Sequence, residues 1–314
     1  ESETKELGEA YKAVPTIKKN GDKGTFLMKG KCGVSYDRFE KNKIGFNLPS
    51  LLNGMFQVLL SAETEPILLM GSSGFKTFLA EQYLKEAKVI TLNQESTISQ
   101  LLGSSSFLTD SEAKIFYLDT ICKVCRMQNE RNKIIQKFEK GELTKEELKN
   151  IIDKRISTIP QSFKYAVYHL LDKLFDNTSK DKYHGALSNI TLEFRPGLFL
   201  SAILEGRSLI LKNLHNLPTI ILERFNELFS GKQSLTLNED IHNTFTDENN
   251  KELTDFSSTF RVFATCPPNS ATKLSEAVLS RFTVIFIPEY EPVEQKRVLK
   301  SYVEFNVLQF EEQH

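Results

Sequence analysis

The chain lacks any marked excess of charge. Its 40 Lys and Arg stand against 41 Asp and Glu, a formal net charge of −1. No global field therefore draws it to nucleic acid or to an anionic membrane surface. Long apolar runs are missing too: none approaches the roughly 20 residues that a helix needs to span a bilayer. Cysteine is scarce, with 4 scattered residues in 314. That excludes a disulfide framework and suits a reducing compartment, so an intracellular setting, cytoplasmic or nuclear, is expected. The opening ESETKELGEA is polar and does not read as a secretion signal. Without an initial Met it reads as a cut from a longer chain. No internal repeat is visible.

Cys122 and Cys125 form a CxxC, which zinc or redox chemistry would use only with a second ligand pair or a preceding thioredoxin-like strand. Neither accompanies it. The surrounding FYLDTICKVCRMQNE reads as an amphipathic helix, in which Cys is a small apolar filler. His169 and His184 likewise have no carboxylate or Cys partners at ligand spacing and read as structural, and His215, just after the apolar run at 208–213, reads as a loop residue that could also approach a site at the end of that strand. The 23 Phe fall at apolar-face positions such as Phe225 and Phe229 and read as core or as contacts with another module.

Apolar patterning divides the remainder. Residues 1–46 read as a polar lead-in, mobile over 1–25, with FLMKGKCGVSY (26–36) as a strand or hairpin arm. Leu51 to Ser61 has helical spacing behind Pro49 and Ser50. Short apolar runs at 66–70, 89–93, 208–213, 260–265 and 283–287 read as strands, the first suiting a strand buried on both faces and 208–213 a buried one. Helical segments separate them, the pattern of a parallel α/β sheet covered on both sides. Between the second and third runs, about 111–177, lies a charged block almost free of Gly and Pro. It predicts three or so inserted helices, one opened by a Thr144/Glu147 capping box. A loop is expected at 177–189, helices at 196–206 and 217–230, and a strand at 233–239. The module is expected over 47–290, with 291–314 beginning a final helix.

One turn carries recognisable chemistry. PILLM-GSSGFKT is a strand, a Gly-rich turn, then Lys-Thr opening a helix. In such a place backbone N–H groups face phosphates, Lys76 adds a point charge and the Thr77 hydroxyl reaches Mg²⁺. The candidate binding residues are Gly71, Ser72, Ser73, Gly74, Phe75, Lys76 and Thr77. The spacing is one residue short of GxxxxGK[ST], and Phe75 replaces the Gly before Lys. A plain Gly/Ser turn after a buried strand has the same composition.

The turn is followed by Leu102-Gly103, by the helix from Gly197 to Gly206, and by Leu222, Arg224, Asn226 and Leu228 in LERFNEL. FRVFAT and LSEAVLSRF come next. In this order and spacing, over roughly 47–103 and 191–300, the chain resembles the AAA+ ATPase modules of the dynein-related, midasin-like subfamily. The resemblance implies a P-loop NTPase three-layer fold with strand order 5-1-4-3-2. It also implies ATP or ADP with Mg²⁺ as cofactors, and neighbouring AAA+ modules in the same chain or ring as partners. The helical block has no counterpart in that pattern.

The departures bear on activity. The Walker B strand of the family ends in Asp-Glu, Asp holding the metal through water and Glu activating the attacking water. Here Lys212 and Asn213 stand there, a cation and a side chain that is no base at neutral pH. The sensor asparagine of the family falls at Pro267, which has no side-chain donor. Arg281 keeps the place of the arginine finger, which would serve a neighbouring module; it equally suits a helix C-terminal cap. The lid is expected to be truncated. The expectation is a structural or allosteric module without hydrolysis of its own. The alternative is a working ATPase with an atypical P-loop.

Overall fold

The computed structural model describes residues 16–20, 23–28, 32–35, 65–71, 75–84, 86–175, 190–230, 234–241, 244–246, 251–254, 256, 260–287, 292–293 and 295–296. Its strands are β1 (Thr16–Asn20), β2 (Lys23–Met28), β3 (Cys32–Ser35), β4 (Ile67–Met70), β5 (Lys88–Thr91), β6 (Gly103–Thr109), β7 (Ile190–Pro196), β8 (Leu209–Lys212), β9 (Leu235–Thr236), β10 (Glu252–Leu253), β11 (Val262–Cys266) and β12 (Thr283–Phe286). The α-helices are α1 (Phe75–Tyr83), α2 (Ile98–Leu101), α3 (Asp110–Val124), α4 (Arg131–Glu139), α5 (Lys145–Asp153), α6 (Gln161–Phe175), α7 (Leu198–Leu204), α8 (Thr219–Arg224) and α9 (Glu276–Leu279). The chain divides into two compact units, one of residues 1–92, 210–216 and 261–314, the other of 93–209 and 217–260.

The first unit holds a five-stranded, all-parallel sheet in the order β12–β4–β11–β8–β5. These are the five short apolar runs, and their order is the expected 5-1-4-3-2. β4 has a parallel neighbour on each side, Ile67 to Met70 pairing with Phe263 to Cys266 and with Thr283 to Phe286. β11 is the middle strand of the sheet, with β4 beside it. All four β4 side chains are buried, as an uninterrupted apolar run requires when both faces are covered. Leu79, Ala80 and Tyr83 of α1 are buried too, and the Tyr83 ring stacks on Phe263 at 5.4 Å.

β1, β2 and β3 form an antiparallel three-stranded sheet. A strand therefore stands at 16–20, where the weak apolar periodicity predicted a mobile lead-in. The expected helix at 51–61 and the loop at 177–189 lie outside the described residues. So does most of 291–314, of which 292–293 and 295–296 are helical.

The second unit is built on a ribbon. β6 and β7 pair antiparallel over their full length, from Gly103↔Pro196 to Thr109↔Ile190. The block expected to be helical runs between them. It contains four α-helices, α3 to α6, and a 3₁₀ turn at Ile156–Thr158. Thr109 both ends β6 and caps α3: its hydroxyl accepts from Glu112 N–H while the Glu112 carboxylate reaches back to Thr109 N–H. The Thr144/Glu147 box opens α5 as the sequence predicts.

A buried polar knot ties α3 and α6 to β7. The Tyr117 hydroxyl donates to Glu193, which is 4% exposed, and Lys173 Nζ lies 3.3 Å from the same carboxylate. Burial, then the Glu193 charge, pushes the Tyr117 pKa up, so the phenol remains a donor. Phe199 and Phe225 meet at 4.7 Å in the apolar core of this unit.

Two elements are shorter than expected. The helix predicted over 217–230 stops at Arg224, where Phe225 N–H turns back to Leu222 O at 3.0 Å. The turn buries Phe225 and Phe229 together, and Arg224 reaches the Thr236 carbonyl at 3.1 Å and Glu239. The strand expected over 233–239 is reduced to β9, paired antiparallel with β10.

Cys122 and Cys125 are buried at the end of α3, and no group of metal-ligating side chains occurs among the described residues. Burial raises their thiols to about 11 and about 12, so almost no thiolate exists at neutral pH. Iodoacetamide at pH 7.5 should leave both unmodified in the native chain and alkylate both in urea. Peptide mass spectrometry reads the result. Rapid native labelling of either would show that the CxxC is open to chemistry.

Candidate functional site

Of the predicted site residues, Gly71, Lys212, Asn213 and Pro267 stand at the carboxyl ends of β4, β8 and β11, the side of a parallel sheet where ligands bind in open α/β folds. Gly71 follows β4 and is buried, its N–H bonding to Cys266 O at 3.3 Å. A Cβ at Gly71 would overlap the Ile287 carbonyl oxygen, so glycine is required there by close approach of backbone. Ser72, Ser73 and Gly74 lie outside the described residues. Phe75 begins α1, with Lys76 buried and Thr77 half-buried in its first turn.

Lys76 is turned inward. Its ammonium donates to the Gly71 carbonyl. Burial lowers its pKa, partly offset by the neighbouring Cys266 thiol, which burial raises to about 11. The lysine expected to meet a phosphate thus binds the backbone at the start of its own turn.

β8 ends at Lys212, which is half-buried. Asn213 then adopts φ 61°, a left-handed conformation that Asn tolerates better than most residues. Its N–H donates to Thr265 Oγ1 at 3.3 Å, and its carbonyl accepts from Asn216 N–H at 2.9 Å. The second bond closes the 3₁₀ turn Leu214–Asn216, which contains His215. Pro267 follows β11 and accepts from Ser270 N–H at 3.2 Å.

Gly71, Lys76, Asn213, Thr265 and Cys266 are therefore joined by hydrogen bonds and electrostatics. Thr265 and Cys266 were not singled out from sequence; their one signal was their place at the end of the FRVFATC run. Arg281 is not joined to this group. Its guanidinium donates to the Ala277 carbonyl at the end of α9, the capping role that was one of its two readings. No Asp or Glu occurs at 67–71, 209–213 or 262–267. The three strand ends thus supply no carboxylate for a divalent cation and no general base, and the Mg²⁺ implied by the resemblance does not fit them. The charged and hydroxyl groups that stand there are Lys76, Lys212, Thr77 and Thr265. No protein-family model matches the chain, and no curated protein matches it significantly.

Proposed function

We propose that this chain is a degenerate AAA+ module of a larger dynein- or midasin-like protein. Its role is structural or allosteric: it packs against neighbouring AAA+ modules, holds nucleotide weakly or not at all, and does not hydrolyse it. The observation that carries this reading is the end of β8. There Lys212 and Asn213 stand where phosphoryl transfer needs a metal-holding carboxylate and a base, and the Asn213 N–H is engaged by Thr265. The strand order and the Gly71–Lys76 turn at the carboxyl end of β4 support the fold assignment. Among the described residues no helix is long and apolar enough to cross a membrane.

Thermal melting with ATP or ADP, with and without Mg²⁺, tests the reading. A ligand at about 100 times its Kd adds about 2.7 kcal/mol of stability. A small or absent shift, unchanged by Mg²⁺, is expected. An ATP shift that needs Mg²⁺ and disappears in Lys76→Ala would instead establish the working ATPase with an atypical P-loop.

A further inference from the structure

The second unit contains a small cavity of about 100 Å³ between α3, β7 and α7. Its wall is cationic. Lys123 and Arg195 line it beside the Phe116 ring and the Ser201 hydroxyl, with Leu204 as an apolar wall. The Arg195 guanidinium lies 6.0 Å from the Phe116 centroid and has no hydrogen-bonded side-chain partner among the described residues. Asp119 also lines the cavity, but it is already held by Lys123 at 2.9 Å and by Arg131. Glu112, the other acid near Arg195, is tied back to Thr109 by the capping box. Among the residues that line the cavity, the two cations Lys123 and Arg195 outnumber the one carboxylate, Asp119, leaving a surplus of one positive charge.

Size decides what kind of anion fits. Pockets that enclose a small molecule run to roughly 300–1,000 Å³, several times this volume. The cavity holds one oxyanion group, and the rest of its carrier must lie outside. Apolar side chains stand exposed where such a carrier would run. Ile115, 37% exposed, is one helical turn from Asp119 on α3, and Leu198, 44% exposed, is one turn from Ser201 on α7. A surplus of one matches a singly charged carboxylate better than a phosphate monoester, which carries about −1.5 to −2 at pH 7.

We propose that this recess binds the carboxylate of an acidic side chain on a partner protein segment, with apolar neighbours of that side chain resting on Ile115 and Leu198. Arg195 and Lys123 pair with the carboxylate, and Phe116 holds the guanidinium plane in place. The inference rests neither on nucleotide binding nor on the family reading.

The probe is a set of short fluorescein-labelled peptides, each with one central Glu and Leu or Phe on both sides, titrated with the full chain in fluorescence polarisation. Charge-assisted hydrogen bonds of this kind predict that replacing the central Glu by Gln weakens binding on the order of tenfold. Arg195→Gln should weaken the Glu peptides on the order of tenfold, while Lys133→Gln on exposed α4 changes nothing. Arg195 is exposed on β7, so its substitution should leave the melting temperature unchanged. The proposal is overturned if no Glu peptide binds better than its Gln counterpart, or if Arg195→Gln has no effect. It is equally overturned if single-stranded RNA displaces the peptides with the same dependence on Arg195, which would make the site a nucleic-acid contact.

Discussion

Purified alone, the chain should release phosphate from ATP no faster than buffer does. The expectation follows from what phosphoryl transfer requires: a placed metal, an oriented water and positive charge on the γ-phosphate. Lys212 opposes a cation at the end of β8. Asn213 is not a base, and its backbone is committed to Thr265 and Asn216. Pro267 offers no side-chain donor. Lys76 points to the Gly71 carbonyl. On the proposed reading, an arginine from a neighbouring module, worth about 10³–10⁵ in rate where one acts, is also missing from an isolated chain.

These groups act together, so Asn213→Glu alone should not restore turnover. The measurement is steady-state phosphate release, with Lys76→Ala as the control. Release well above buffer that disappears in Lys76→Ala would mean that other residues hold the metal and activate water. Buffer-level release in both would leave the role of this site to binding, or to packing against a neighbour.

How much of this was readable beforehand depends on how local the determinants are. The three inner strands β4, β11 and β8 are apolar runs of the kind that burial on both faces demands, the edge strands β5 and β12 are short and β-branched with one buried residue each, and the parallel pairing followed from the helical segments between them. The Thr144/Glu147 box is local chemistry and was readable for the same reason.

The β6–β7 ribbon was not readable. Its first strand, GSSSFLT, is polar and lacks alternation, and its partner lies about 80 residues on, so only long-range register defines it. That register accounts for the helical block, whose chain leaves directly from β6 into α3 and returns along β7. At the site, the Gly/Ser residues after β4 and the absence of Asp and Glu at the end of β8 were legible as residue types. The inward direction of Lys76 and the left-handed Asn213 were not, because residue types do not say that the Lys76 ammonium turns back to the Gly71 carbonyl, and the Asn213 N–H bonds to Thr265 on another strand. α8 stops short of its helical pattern, which continues to residue 230: the chain beyond Arg224 runs in turns that bury Phe225 and Phe229.

Gly103→Ala should be among the most damaging single-methyl substitutions in the chain. Gly103 stood out only as half of a Leu-Gly pair, and the ribbon supplies its physical reason. It has φ 135°, in the half of conformational space that side chains disfavour, and it opens β6 opposite Pro196. An added Cβ would run into the Arg195 carbonyl oxygen and come within 2.7 Å of Phe194 Cζ and 3.0 Å of Gly197 N. Those neighbours cannot easily give way. Gly197 N–H is fixed to Leu102 O at 2.8 Å, and Phe194 is fully buried. Backbone strain of about 1–3 kcal/mol adds to an overpacking cost of about 1–3 kcal/mol, so a loss of about 3 kcal/mol or more is expected.

Gly141 separates the two causes. It too has a positive φ, 72°, but nothing lies within 4 Å of a Cβ placed there. Gly141→Ala should therefore lose only the left-handed backbone penalty, roughly 1–2 kcal/mol. Urea unfolding followed by far-ultraviolet circular dichroism gives both numbers. Equal losses for the two variants would mean that φ alone sets the requirement and that the ribbon is not closely packed at Gly103. A loss at Gly103 at least about twice that at Gly141 is what close packing at the root of the ribbon predicts.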